Sequence, residues 1–170
     1  EKMYKDFALA NHFPGYAYGI VVDGELLYKG AEGYANLEEK IPATTSSMFR
    51  VASMSKSFTS LAILHLRDAG KLKLDDPVEM YIPALKGQGL TNDAPAITIR
   101  HLMSHSAGFP EDNPWGDRQL ADSEKDLTDL ISGKLSFSNV AGTEYEYSNL
   151  GFAMLGYIIH KASGLSYDVY

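Results

Sequence analysis

The feature that most constrains the fold is a hairpin signal near the start of the chain. Two β-prone runs, Tyr16–Val22 and Glu25–Lys29, are joined by Asp23-Gly24. A two-residue Asp-Gly connection suits the tight turn whose twist matches that of paired strands, so the runs are expected to pair antiparallel. Ahead of them, Lys2–His12 reads as a helix ended by Phe13-Pro14-Gly15. After them, Gly30, Gly33 and Asn36 read as a further bend, followed by a short extended piece to Pro42. A lone hairpin is marginal in water and exposes two edges, so strands belonging beside it are expected to lie outside this chain. The rest reads as mostly helical, without repeat, low-complexity tract or charge block. The pattern predicts an α+β fold: an antiparallel sheet flanked by helices, incomplete here, plus a mostly helical region.

In that helical region the stretch Phe49–Thr59 carries Ser53-x-x-Lys56 and runs into a helix expected to reach about Ala69. Leu61, Leu64 and Leu66 supply apolar positions, His65 reads as lying on the core side, and Gly70 stops the helix. Thr98 reads as the cap of a short helix over 99–104, and Ser123 with Asp126 as the start of another through Ile131. Asn113–Asp117 reads as loop. Glu144–Tyr147 alternates like an extended segment, and Ser148 or Asn149 caps a helix to about Ala162, ended by Gly164. Ser166–Tyr170 looks like a further helix beginning, as though the chain were cut there. It opens at Glu1 without an initiator Met, so any secretion signal is expected to be already removed.

At 170 residues the chain has the size of one ordinary domain, and 45% hydrophobic with 22% charged residues suits a globular protein. A net charge of −7 without a basic run argues against a nucleic-acid-binding surface. The absence of cysteine removes disulfide and thiol chemistry but leaves the compartment open. The longest apolar run, around Gly151–Ile159, is too short to span a membrane.

Two constellations carry chemistry. A serine at a helix start has its own N–H and the helix dipole near its oxygen, and a lysine three residues on lies one turn along the same face. Ser53 and Lys56 can thus pair a nucleophile with a base without histidine. The second constellation is Tyr147-Ser148-Asn149. A tyrosine at a helix N-terminus, beside an ammonium, is expected to ionise more readily and could take and return a proton. Asn149 offers a donor and an acceptor for orienting a lysine or a substrate amide. Tyr34-Ala35-Asn36 has the same Tyr-x-Asn form but sits in a turn with no helix close behind, and reads as turn chemistry.

Ser53-x-x-Lys56, with Tyr147-x-Asn149 inside Gly142–Phe152, resembles the class C β-lactamase family and its penicillin-binding-protein-like relatives: carboxylesterases, D-alanyl-D-alanine carboxypeptidases and D-aminopeptidases. Gly33–Asn36, Leu72–Pro77 and His101–Gly108 are similar to the family in the same order, through almost the whole chain. The resemblance implies a β-lactamase/transpeptidase-like fold. It also implies a serine hydrolase that forms an acyl-enzyme on an ester, a D-amino-acid peptide or a β-lactam, with no metal or cofactor. By the same resemblance Ser53 is the nucleophile, Lys56 helps deprotonate it, and Tyr147 is general base and then general acid. Asn149 positions the substrate or Lys56, and the Ser53 N–H is one oxyanion donor.

The family's third motif, Lys-Thr-Gly or His-x-Gly on a later strand, is absent from this chain, and Ala141 stands where a proline often precedes Gly142. Residues 1–170 are therefore expected to be the N-terminal part of a single catalytic domain. Their expected partners are the missing C-terminal part and a small-molecule or peptide substrate. Alone, they are expected to hydrolyse esters poorly or not at all. The resemblance further implies action in the bacterial periplasm or outside the cell, with the cytoplasm left open. The rivals are a non-catalytic binding or scaffold module of the same fold, and a site closed by a second chain. His101 and His105, four apart, could form a metal pair, but no third ligand follows at a suitable spacing, so a structural role is read, with His105 as a loop anchor.

Overall fold

The computed structural model describes residues 2–112, 118–119 and 122–170. The loop expected over 113–117 lies outside the described residues. The chain divides into two compact units, residues 1–51 and 52–170.

The first unit is a helix and a sheet. Helix α1 (Lys2–Ala10) precedes strands β1 (Gly15–Val22), β2 (Glu25–Asn36) and β3 (Ile41–Pro42), which pair antiparallel in the order β1-β2-β3. The Asp-Gly turn forms as expected. Asp23 and Gly24 both take positive φ (51° and 84°), the conformation this tight connection requires. The bend expected at Gly30 and Gly33 does not occur, and β2 runs straight through both residues. Gly30 instead makes room for an aromatic ring, since a Cβ there would stand 2.7 Å from the Tyr18 hydroxyl. At Gly33 (φ 79°) a Cβ would meet the Pro14 carbonyl oxygen at 2.3 Å. Both glycines serve close approach within a strand rather than its end. Tyr4 stacks on Tyr18 at 4.4 Å and Lys5 pairs with Glu32, fastening α1 to the sheet. Asn36 ends β2 and accepts from the Glu39 N–H at 3.0 Å, the turn chemistry expected there.

The second unit is helical around one core. It contains α2 (Ser55–Asp68), α3 (Ile99–Met103), α4 (Glu124–Ser132) and α5 (Asn149–Ser163), with short 3₁₀ turns at Ala52–Met54, Val78–Met80 and Pro83–Leu85. Their ends follow the sequence signals. Thr98 and Ser123 close capping boxes on α3 and α4, Ser148 caps α5, and Gly164 ends α5 in the left-handed conformation. Helix α5 packs against α2, α3 and α4. Its residues Met154, Leu155, Ile158 and Ile159 meet Ile63, Ile99, Leu102 and Ile131 in a fully buried cluster. His65 is not part of it. The core face of α2 is Thr59, Ile63 and Leu66, and at 100° per residue His65 turns away from that face. It is exposed, and its Nδ1 lies 2.7 Å from the Tyr170 hydroxyl. Ser166 opens a hydrogen-bonded turn, its carbonyl accepting from the Val169 and Tyr170 N–H groups at 3.1 and 3.0 Å.

Candidate active site

Ser53 lies in the 3₁₀ turn that leads into α2. The cap position of α2 is Met54 and no side chain caps it, so Ser53 is not serving as a helix cap. Its neighbour Ala52 takes φ 45°, a left-handed conformation that costs an alanine energy and that persists only where surrounding structure enforces it. The Ser53 side chain is exposed, and Lys56, one turn on, is half-buried.

The residues singled out by the sequence meet. The Ser53 Oγ stands 2.5 Å from the Tyr147 Oη, although 94 residues separate them. The Lys56 Nζ donates to Ser53 Oγ at 3.2 Å and to Asn149 Oδ1 at 2.6 Å. The same ammonium group lies over the Tyr147 and Phe152 rings, 4.9 and 5.6 Å from their centres. A hydroxyl, an amine, a phenol and an amide therefore form one connected group, with the hydroxyl open to solvent. From Asn149 a cavity of about 480 Å³ continues between α4 and α5. Leu127, Leu130, Phe152 and Tyr157 give it apolar walls, and the carboxylates of Asp122, Glu124 and Asp126 also line it.

Two residues that hold this arrangement were not assigned to it from sequence. The Asp112 carboxylate accepts from the Ser148 hydroxyl at 3.0 Å, the Asn149 N–H at 2.6 Å and the Leu150 N–H at 2.9 Å. It thus sits on the N-terminus of α5, where unsatisfied N–H groups and the dipole favour an anion. The positive helix end expected to act on Tyr147 already has a carboxylate against it. His105 is the second residue, and its ring stacks on that of Tyr147 at 4.6 Å. Burial and then the nearby Lys56 charge push its pKa below the usual histidine range, with Asp112 opposing. The suggested His101–His105 pair does not share a helix face. Helix α3 ends at Met103, and His101 closes the Thr98 capping box instead. Among the described residues no group of three or more His, Cys, Asp or Glu side chains is placed to hold a metal ion.

The sequence profile of a family described as Beta-lactamase matches residues 1–170. Penicillin-binding protein 4* of Bacillus subtilis (strain 168) is 37% identical over 149 residues, which are 85% of this chain and 32% of that protein. The octameric penicillin-binding protein homologue from Pyrococcus abyssi superposes with a TM-score of 0.84 at 30% identity, over 99% of this chain and 40% of its own. A class C β-lactamase superposes with a TM-score of 0.80 at 26% identity, over 98% of this chain and 44% of its own. The chain spans about a third of the length of the curated relative it matches here.

Proposed function

Because the chain belongs to the β-lactamase family and has the β-lactamase/transpeptidase-like fold with a partial sheet, we propose that it carries the acylating group of a serine hydrolase. The observation that supports this most is the joining of Ser53, Lys56, Tyr147 and Asn149 through three short contacts.

In the proposed reaction Tyr147 enters as a phenolate beside the Lys56 ammonium, and its oxygen takes the Ser53 proton as Ser53 Oγ attacks a substrate carbonyl. The Oγ–carbon bond forms while the carbonyl π electrons move to oxygen, where the Ser53 N–H is one fixed donor. The tetrahedral adduct collapses, the bond to the leaving group breaks, and Tyr147 returns the proton to that group. Water then attacks the ester carbonyl as Tyr147 takes its proton, the Ser53 Oγ–carbon bond breaks, Tyr147 returns the proton to Ser53 Oγ, and the acid leaves. Lys56 binds the serine oxygen on one side and Asn149 on the other, which keeps its charge beside the reacting oxygen without a histidine. The substrate is an ester, a D-amino-acid peptide or a β-lactam, with its acyl portion lying from Asn149 into the apolar cavity.

We further propose that residues 1–170 are the N-terminal part of one catalytic domain whose remaining part is the principal partner. The proposed place of action is the bacterial periplasm or the exterior of the cell. The test is covalent labelling of the full-length protein by a fluorescent penicillin and by a fluorophosphonate. Labelling that is present in the wild type and lost in Ser53→Ala is expected. Full labelling of Ser53→Ala would remove the serine from the mechanism, and a non-catalytic module would take neither probe.

A further inference from the structure

His105 stands just beyond the end of α3 with φ 54°, in the left-handed conformation that histidine tolerates better than most residues. From there it reaches Tyr147 in three ways. The Glu146 N–H donates to the His105 carbonyl at 2.8 Å. The Ser148 N–H donates to the His105 Nδ1 at 3.0 Å. The imidazole also covers the Tyr147 ring, the two planes 27° apart. One residue therefore ties the peptide on both sides of the tyrosine as well as its face. Tyr145 and Phe152 close around the imidazole at 5.6 and 5.0 Å, which restricts its own rotation.

Accepting at Nδ1 requires the imidazole to be neutral, with its proton on Nε2. The phenol oxygen lies at the far end of a rigid side chain, so a small rotation of the 146–148 backbone becomes a large displacement at Oη. Displacements of about 1 Å can cost about 100-fold in rate.

We propose that His105 is a positioning residue for Tyr147, fixing the backbone on either side of the tyrosine and the face of its ring so that the phenol oxygen stays on Ser53. This rests on Ser53 and Tyr147 being the acyl-transfer pair proposed above. His105 acts through Tyr147 and needs no contact with substrate.

The experiment uses the full-length protein with p-nitrophenyl acetate and three substitutions. His105→Phe keeps a ring but offers no acceptor, and His105→Ala offers neither. His105→Asn keeps an acceptor of similar reach and tolerates positive φ. Expected is a fall in kcat of about 10- to 100-fold for Phe and Ala with KM unchanged, and recovery to within about fivefold of wild type for Asn. Wild-type kcat in both Phe and Ala, or Asn as impaired as Phe, overturns the proposal. A crystal structure of whichever of the Phe and Ala variants folds decides independently of turnover. A Tyr147 oxygen still on Ser53 refutes positioning, and a displaced one supports it. A wild type that neither labels nor turns over would count against the acyl-transfer reading alone, because the displacement is read from coordinates.

Discussion

The two units of the chain are held together by different means. Residues 52–170 have an interior: Ile63, Leu102, Met154, Leu155, Ile158 and Ile159 are each buried to 1% exposure or less. Residues 2–51 have almost none, with only Ala8 and Ala43 buried. Phe7, Phe13, Ile20, Val22, Leu26 and Tyr28 stay more than two-fifths exposed. The hairpin unit coheres through strand pairing, aromatic contacts and the ion pairs Lys2–Asp6 and Lys5–Glu32, whereas the helical unit coheres through burial. All four proposed catalytic side chains belong to the helical unit. A group that must be placed to tenths of an ångström sits where close packing limits displacement.

The largest expected effect tests whether chemistry and stability separate within the helical unit. Tyr147→Phe removes one oxygen from a half-buried ring and leaves its stacking on His105 intact. Acylation should fall about 100- to 10,000-fold while the thermal midpoint stays close to wild type. Stopped-flow labelling and calorimetry measure the two quantities. A large loss of stability with little loss of rate would make Tyr147 a packing residue.

Paired truncations bear directly on the comparison between units. Ile158→Ala opens a void in the buried core, and should cost about 2–5 kcal/mol. Ile20→Ala trims a side chain that is 46% exposed, and should cost under about 1 kcal/mol in the same urea titration. Equal losses would mean that the hairpin face is covered as completely as the helical core. Asp112→Ala should fall between these two, at about 2 kcal/mol, because it strips three donors at the head of α5. It should also slow acylation through Asn149, whose N–H it holds. A variant with full stability and full rate would show that water can replace the carboxylate.

Much of this was legible in the sequence where the physics is local. A three-residue spacing puts Ser53 and Lys56 on adjacent turns whatever the rest of the fold does. Asp23-Gly24 dictates its turn, and Thr98, Ser123 and Gly164 mark helix ends by capping chemistry. What failed was also local inference, applied where tertiary contact decides. Gly30 and Gly33 look like chain breakers, yet they serve the Tyr18 ring and the Pro14 carbonyl inside a strand. His65 is seen to turn from the core only once the phase of α2 is known to better than one residue. Asp112 lies 37 residues before Asn149, and no spacing rule joins a loop carboxylate to a distant helix end. His105 was readable as an anchor, but what it anchors follows only from the convergence of two loops on one tyrosine.

The smallest expected effect is a pH dependence confined to one unit. His101 and His105 both lie in the helical unit, and burial is the leading cause that lowers the pKa of each. Around His105 the Lys56 charge adds to the lowering and Asp112 opposes it. Around His101 Asp75 opposes it and Arg100 adds to it. The folded state therefore binds fewer protons than the unfolded state in the window just below the ordinary histidine value of about 6.5. Stability rises with pH wherever the unfolded state binds more protons, so it is full above that window and declines as pH falls through it, until the folded histidines protonate as well. Amide exchange measured across this window should show protection declining on α3 and at the head of α5, and His105→Asn should remove part of the slope. A slope of equal size throughout the β1–β2 pair would mean that the two units unfold together, and that the difference between them is one of packing alone.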